Sequence, residues 1–71
     1  MMKNIDLEKL RNSLPHGCRN VIANRLNKSK RLVDFVLAGK RENMEIIRQA
    51  IEMAETHKIE LENIARKIRE L

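Results

Sequence analysis

Apolar residues recur at helical spacing in four stretches of the chain, and polar or helix-breaking residues separate these stretches. The first predicted helix runs from about Ile5 or Asp6 to Ser13. Pro15 then ends it, because the residue before a proline is pushed out of the helical region. The apolar positions of this helix are Ile5, Leu7, Leu10 and Leu14. We expect residues 1–4 to form a frayed end.

Two short helices follow, with a three-residue turn between them. The pattern predicts one helix from about Gly17 or Cys18 to Leu26 and the next from about Lys30 to Ala38. The predicted inner faces comprise Cys18, Val21, Ile22 and Leu26 in the first of these helices, and Val33, Val36 and Leu37 in the second. Of these, Leu26, Val33, Val36 and Leu37 are expected to hold the two helices together at a steep angle.

Four residues set the local geometry of this pair of helices. Ala23 lies where the two helices must approach closely. Asn27 lies in the turn at a position that needs a positive φ, which asparagine tolerates better than most residues. Ser29 is expected to cap the second helix of the pair through its hydroxyl, and Gly39 is expected to end that helix.

The segment from Met44 to Leu71 contains no proline or glycine and is rich in helix-forming residues. It predicts one helix of about 28 residues, about 42 Å long, with Asn43 as its N-cap and Glu45 in its first turn. Its apolar seam advances in alternating steps of three and four residues, as in a heptad repeat. The seam consists of Ile47, Ala50, Ala54, His57, Leu61, Ile64, Ile68 and Leu71.

The width of the apolar face divides this helix into two segments. Up to Ala54 the face is broad, which suits packing on the three preceding helices. Beyond His57 it narrows, and an isolated helix of that length is marginal in water. We therefore predict a domain over residues 1–54 and an oligomerisation extension over residues 55–71. The candidate interface residues are His57, Leu61, Ile64, Ile68 and Leu71.

The fold class predicted from these elements is all-α, with three short helices followed by a long one. The chain has 71 residues, which form one small domain, and a domain of this size often needs a partner for stability.

The chain has 15 Lys and Arg against 10 Asp and Glu. Residues 1–42 hold 10 basic and 4 acidic residues, whereas residues 43–71 hold 5 and 6. The positive charge therefore belongs to the half with the paired short helices, as a phosphate-binding surface requires.

The segment 19–39 resembles the helix-turn-helix of the phage-repressor and Cro type, and the related unit of bacterial sugar-responsive repressors. The matching residues are Ile22-Ala23, Leu26-Asn27-Lys28-Ser29, Val33, Val36-Leu37 and Gly39. Lys28 departs from the family pattern, which has an apolar turn residue there, and Leu32 and Asp34 replace small hydroxyl residues. The resemblance implies a sequence-specific duplex DNA-binding protein that controls transcription in a bacterium or phage.

In that reading, the helix at about residues 30–38 enters the major groove. The candidate base-reading residues are Lys30, Arg31, Asp34 and Phe35. Lys and Arg donate to guanine, Asp accepts from cytosine N4, and an apolar side chain contacts a thymine methyl group. The alternatives are solvent exposure for Lys30 and Arg31, no base contact for Asp34, and packing at the edge of the core for Phe35.

A second set of polar residues is expected to hold DNA phosphates. These residues lie at predicted helix N-termini or in the loop after the reading helix, where N–H groups and positive charge suit an anion. The candidates are Arg19, Asn20, Ser29, Lys40, Arg41 and Asn43. For each of them, plain surface exposure is the competing interpretation.

Catalysis and cofactor binding have little support in the sequence. Cys18 and His16 are too few for a metal site or a nucleophilic centre, so no metal, cofactor, small-molecule ligand or enzymatic activity is predicted. The single cysteine excludes an intrachain disulfide. No apolar run exceeds four residues, so we expect no membrane contact and a cytoplasmic location.

The predicted protein is a homodimer that places two reading helices about 34 Å apart, or a multiple of that distance, on duplex DNA. His57 could make such a dimer sensitive to pH, or it could be a tolerated polar residue in the seam. The alternative function is a protein-interaction adaptor that acts through the C-terminal heptad helix.

Overall fold

A computed structural model describes residues 4–71, and this portion of the chain is entirely α-helical between its turns. The helices are α1 (Asn4–Ser13), α2 (Cys18–Leu26), α3 (Lys30–Leu37) and α4 (Met44–Arg69). The predicted all-α class, with a long last helix, is thus confirmed. Residues 1–3 of the expected frayed end lie outside the described residues, and Asn4 already belongs to α1.

The helix boundaries agree with the predicted ones to within two residues. The third helix ends at Leu37 with Ala38 as its C-cap, one residue before the predicted end. The fourth ends at Arg69 with Glu70 as its C-cap, instead of continuing to Leu71.

The turn after α2 and the turn after α3 each contain a residue with positive φ. Asn27 has a φ of 54°, and the N–H of Lys28 donates to the Ala23 carbonyl at 2.9 Å. Gly39 has a φ of 84°, and the N–H of Lys40 donates to the Phe35 carbonyl at 2.9 Å. These bonds satisfy carbonyls that the helix ends would otherwise leave without partners. The predicted roles of Asn27 and Gly39 are confirmed.

The two predicted N-caps are also present. The Ser29 hydroxyl accepts a hydrogen bond from the N–H of Leu32 at 3.1 Å. The Asn43 side-chain carbonyl accepts one from the N–H of Ile46 at 3.2 Å. Each cap fixes the residue at which its helix begins.

The core lies where all four helices meet. Its buried members come from every helix: Leu7 from α1, Ile22 and Ala23 from α2, Val33, Val36 and Leu37 from α3, and Ile46, Ile47 and Ala50 from α4. Leu10, Leu14, Leu26, Leu32 and Met53 pack around this cluster and are partly buried. Ala23 is buried as expected, because its small side chain lets neighbouring elements approach closely.

Two apolar residues of the predicted helices are exposed, and for Val21 this contradicts the assignment to the inner face. Ile5 is 70% exposed, because it lies about 200° around α1 from the buried Leu7. Val21 is 38% exposed, because burial of Ala23 rotates the inner face of α2 away from it. Met44, although apolar, is 58% exposed at the start of α4.

A side-chain hydrogen bond ties the first helix to the end of the third. The Arg11 guanidinium donates to the Leu37 carbonyl at 2.6 Å, so a carbonyl at the C-terminus of α3 has a charged partner. This contact helps to hold the orientation of α3, whose outer face carries the candidate site. Over the described residues, no helix is both long enough and apolar enough to span a membrane.

Candidate nucleic-acid interface

Helix α3 separates an apolar inner face from a charged outer face. Val33, Val36 and Leu37 are buried, whereas Lys30 and Arg31 are exposed in the first turn. This division follows from the helical period, which places residues three and four apart on one side. The charged side of α3 is therefore accessible to solvent at Lys30 and Arg31.

An ion pair joins α2 to the outer face of α3. The Arg19 guanidinium lies 3.1 Å from the Asp34 carboxylate, and the two side chains are 41% and 38% exposed. Sequence analysis assigned Arg19 to phosphate and Asp34 to a base, without relating the two residues. Their separation of 15 positions in the chain hides the contact, which only the packing of α2 on α3 creates.

This pair matters because Asp34 is the sole acidic residue between Glu8 and Glu42. Asp34 already has a positively charged partner, so its charge is locally balanced. The other charged residues of α3, Lys30 and Arg31, are cationic. We call the set of Arg19, Lys30, Arg31, Lys40 and Arg41 the basic face.

Phe35 lies between two cations on the outer side of α3. The Arg31 guanidinium carbon is 5.4 Å from the centroid of the Phe35 ring, and the Lys40 ammonium nitrogen is 5.9 Å from it. Both distances suit a cation–π interaction. Phe35 is partly buried, so it is neither a fully exposed contact nor a member of the buried core.

The remaining candidates for phosphate binding differ in whether other contacts already use their polar side-chain atoms. Asn20, Lys40 and Arg41 are exposed. Ser29 and Asn43 each use a side-chain oxygen for a helix cap. The hydroxyl proton of Ser29 and the amide group of Asn43 can still donate to a phosphate, because capping uses only their acceptor atoms.

A surface depression of about 420 Å³ connects the N-terminus of α2 to the start of α3. It is lined by Arg11, Leu14, Pro15, His16, Gly17, Cys18, Arg19, Asn20 and Lys30. The turn before α2 bends sharply at Gly17, whose φ is 80°. Sequence analysis missed Arg11 at this position, since its relation to Lys30 depends on how α1 meets the other helices.

Cys18 lies in the wall of this depression but is almost completely buried. Burial raises the pKa of the Cys18 thiol, although the neighbouring Arg19 opposes this effect. The thiol is thus neutral near pH 7, which suits a small packing residue better than a nucleophile. Among residues 4–71, no three potential metal ligands of the His, Cys, Asp or Glu type cluster together.

The candidate interface residues of α4 lie beyond the core. Leu61, Ile64, Ile68 and Leu71 are all more than half exposed, and His57 is partly buried. Within the described residues, no segment of the same chain covers these four apolar side chains. We call Leu61, Ile64, Ile68 and Leu71 the tail stripe.

Comparison with known proteins adds no assignment to this geometry. The chain matches no protein-family model, and no curated protein or solved structure is significantly similar to it.

Proposed function

We propose that this protein binds duplex DNA through the outer face of α3. The observation that carries the proposal is the basic face, whose five cations surround a helix with a single, already paired carboxylate. Phosphates attract such a surface at any sequence, and an exposed helix of this size fits the major groove. The resemblance of residues 19–39 to repressor helix-turn-helix units supports the same function and suggests transcriptional control.

In the proposed complex, Lys30 and Arg31 are the base-reading residues. Both are exposed at the N-terminal end of α3, which is the region of a recognition helix that reaches base edges. Each can donate to guanine O6 or N7. Phe35, held beside Arg31, offers an apolar edge to a thymine methyl group and restricts the positions that Arg31 can take.

Arg19, Asn20, Lys40 and Arg41 are proposed to hold the phosphates on either side of the groove. Arg19 is oriented by Asp34, since the ion pair limits the rotamers that its side chain can adopt. We propose that Asp34 acts mainly by positioning Arg19. If Asp34 accepted a hydrogen bond from cytosine directly, its carboxylate would have to share or give up its contact with Arg19.

A second candidate function is a protein-interaction adaptor. The exposed tail stripe favours it, because exposed apolar side chains at heptad spacing are typical of helix–helix interfaces. In this alternative, the basic face would be only a solvated surface. The two candidates differ in whether the folded protein binds DNA.

Fluorescence anisotropy of a labelled mixed-sequence duplex, titrated at several salt concentrations, tests the proposal. We expect log affinity to fall with log salt at about −0.9 per phosphate contacted. The Lys40→Ala/Arg41→Ala variant, which removes two proposed phosphate contacts, should weaken binding and make the slope shallower by about 2.

The matched control is Arg66→Ala/Arg69→Ala, which removes the same charge from exposed positions of α4 outside the heptad seam. It should leave the slope almost unchanged. Equal losses in both variants would indicate a response to net charge alone and would contradict a DNA site on the basic face. Absence of binding at low salt, by protein with a helical circular dichroism spectrum, would reject DNA binding and favour the adaptor.

A further inference from the structure

The heptad seam of α4 passes without interruption from the core into the tail stripe. Ile47 and Ala50 are buried against the other helices, whereas Leu61, seven residues beyond Ala54, begins the exposed stretch of the seam. The first helix ends at Ser13, and the four residues of the tail stripe remain more than half exposed. The same side of α4 that forms the core therefore needs a different cover over its second half.

We propose that this cover is α4 of a second copy of the chain, running antiparallel to the first. In an antiparallel pair of helices, the first residue of a heptad on one helix (position a) packs against the fourth residue of a heptad (position d) on the other helix. The register centred between residues 62 and 63 pairs Ala54 with Leu71, His57 with Ile68, and Leu61 with Ile64 of the second copy. Two-fold symmetry repeats each of these contacts, so the interface is self-complementary.

The charges that flank the seam favour this orientation. Glu60 and Lys67 lie on the same flank, so the antiparallel register brings Glu60 of each chain opposite Lys67 of the other. The opposite flank places Lys58 near Ala65, without a like-charge contact. A parallel pair would instead place Glu60 opposite Ala65 and Lys58 opposite Met53, and would form neither ion pair.

The shape of the surface near Ala54 independently supports this register. A depression of about 450 Å³ lies between the end of α1 and α4, and Asn12, Ser13, Ala54, His57 and Leu61 are among the residues that line it. Ala54 leaves this space open because its side chain is small. In the proposed register, Leu71 of the second copy, which is fully exposed in the single chain, lies over Ala54 and enters the depression.

The chain contains a matched pair of residues for the first test. Ile64 and Ile59 are 55% and 57% exposed on the same helix, but only Ile64 belongs to the seam. By sedimentation equilibrium, Ile64→Asp should raise the dimer dissociation constant about a hundredfold or more, because each of the two central layers would bury one carboxylate. Ile59→Asp should change it less than about threefold. A monomeric wild-type protein at about millimolar concentration, or equal effects of the two variants, would overturn the proposal.

Charge reversal tests the orientation. Glu60→Lys or Lys67→Glu alone should raise the dissociation constant about three- to tenfold, because each substitution places like charges opposite each other twice. The double variant Glu60→Lys/Lys67→Glu should restore it to within about twofold. A parallel pair predicts no such rescue, so additive effects of the two substitutions would contradict the antiparallel register.

Cysteine cross-linking gives a third readout in a Cys18→Ala background. A mixture of Ala54→Cys and Leu71→Cys proteins should form the mixed disulfide on oxidation, since only the antiparallel register brings these positions together. Disulfides between two identical variants would instead support a parallel pair. The inference does not depend on DNA binding, because all three measurements are made without DNA.

Discussion

At the residue scale, the most informative contact is the ion pair between Arg19 and Asp34. The Asp34 carboxylate lies 3.1 Å from the Arg19 guanidinium, which comes from α2. Because both side chains are more than one-third exposed, the pair contributes little to stability, about 0.2–1 kcal/mol. Its effect is expected mainly in the orientation of Arg19 and in the charge that DNA meets.

The substitution Asp34→Asn separates the two roles considered for this residue. If Asp34 only positions Arg19, the affinity for mixed-sequence DNA should rise a few-fold, because a negative charge beside the phosphates is removed. If Asp34 accepts a hydrogen bond from cytosine, preference at one base position should be lost, at about 1–3 kcal/mol.

Binding selections with wild-type and Asp34→Asn proteins, followed by anisotropy measurements, distinguish these results. Arg19→Ala is the matched comparison, since it removes the partner and leaves the carboxylate in place. We expect Arg19→Ala to weaken binding to all sequences. An unchanged affinity for both variants would exclude this pair from the DNA surface.

At the scale of the element, α2 and α3 show how burial differs between similar residues. Val21 and Val33 are the same residue type in adjacent short helices, yet Val21 is 38% exposed and Val33 is fully buried. Helical periodicity alone assigned both to inner faces. Burial of Ala23 decides the difference, since it sets which side of α2 faces the core.

This difference predicts contrasting effects of the same substitution on stability. Val33→Ala should lower the free energy of unfolding by about 2 kcal/mol, because it removes two buried methyl groups and leaves a cavity. Val21→Ala should change it by less than about 0.5 kcal/mol, since alanine also has the higher helix propensity. Urea denaturation followed by circular dichroism measures both values, and equal losses would contradict the described orientation of α2.

At the scale of the whole molecule, the two proposals together constrain the spacing of DNA half-sites. The antiparallel register is centred about 14 residues beyond the turn of α4 that packs on the core. At 1.5 Å per residue, the two cores would lie about 42 Å apart along the helix axis. This distance lies between one turn of DNA, about 34 Å, and two turns. The antiparallel dimer therefore predicts half-site centres that are between one and two turns apart.

Binding to paired half-sites tests this geometry. Duplexes would carry two copies of a selected half-site with centres one to three helical turns apart. We expect the tightest binding at spacings between one and two turns. Tightest binding at one turn would favour a parallel arrangement of α4, whereas no dependence on spacing would indicate that the copies bind independently. Ile64→Asp protein serves as the control that lacks the dimer contact.

The sequence by itself determined the elements of this protein. Four helices, the positive φ at Asn27 and the caps at Ser29 and Asn43 were predictable, because each depends on residues close together in the chain. The excess of positive charge in residues 1–42 was also evident from the sequence. None of these features requires knowledge of how the helices pack.

Only the tertiary structure decided which distant residues meet and which apolar residues are buried. The contacts of Arg19 with Asp34 and of Arg11 with Leu37 join different helices. Periodicity gives the face of a helix but not its rotation against its neighbours, so the exposure of Val21 was not predictable. Packing between helices sets that rotation, and it depends on side-chain volumes from all four helices at once.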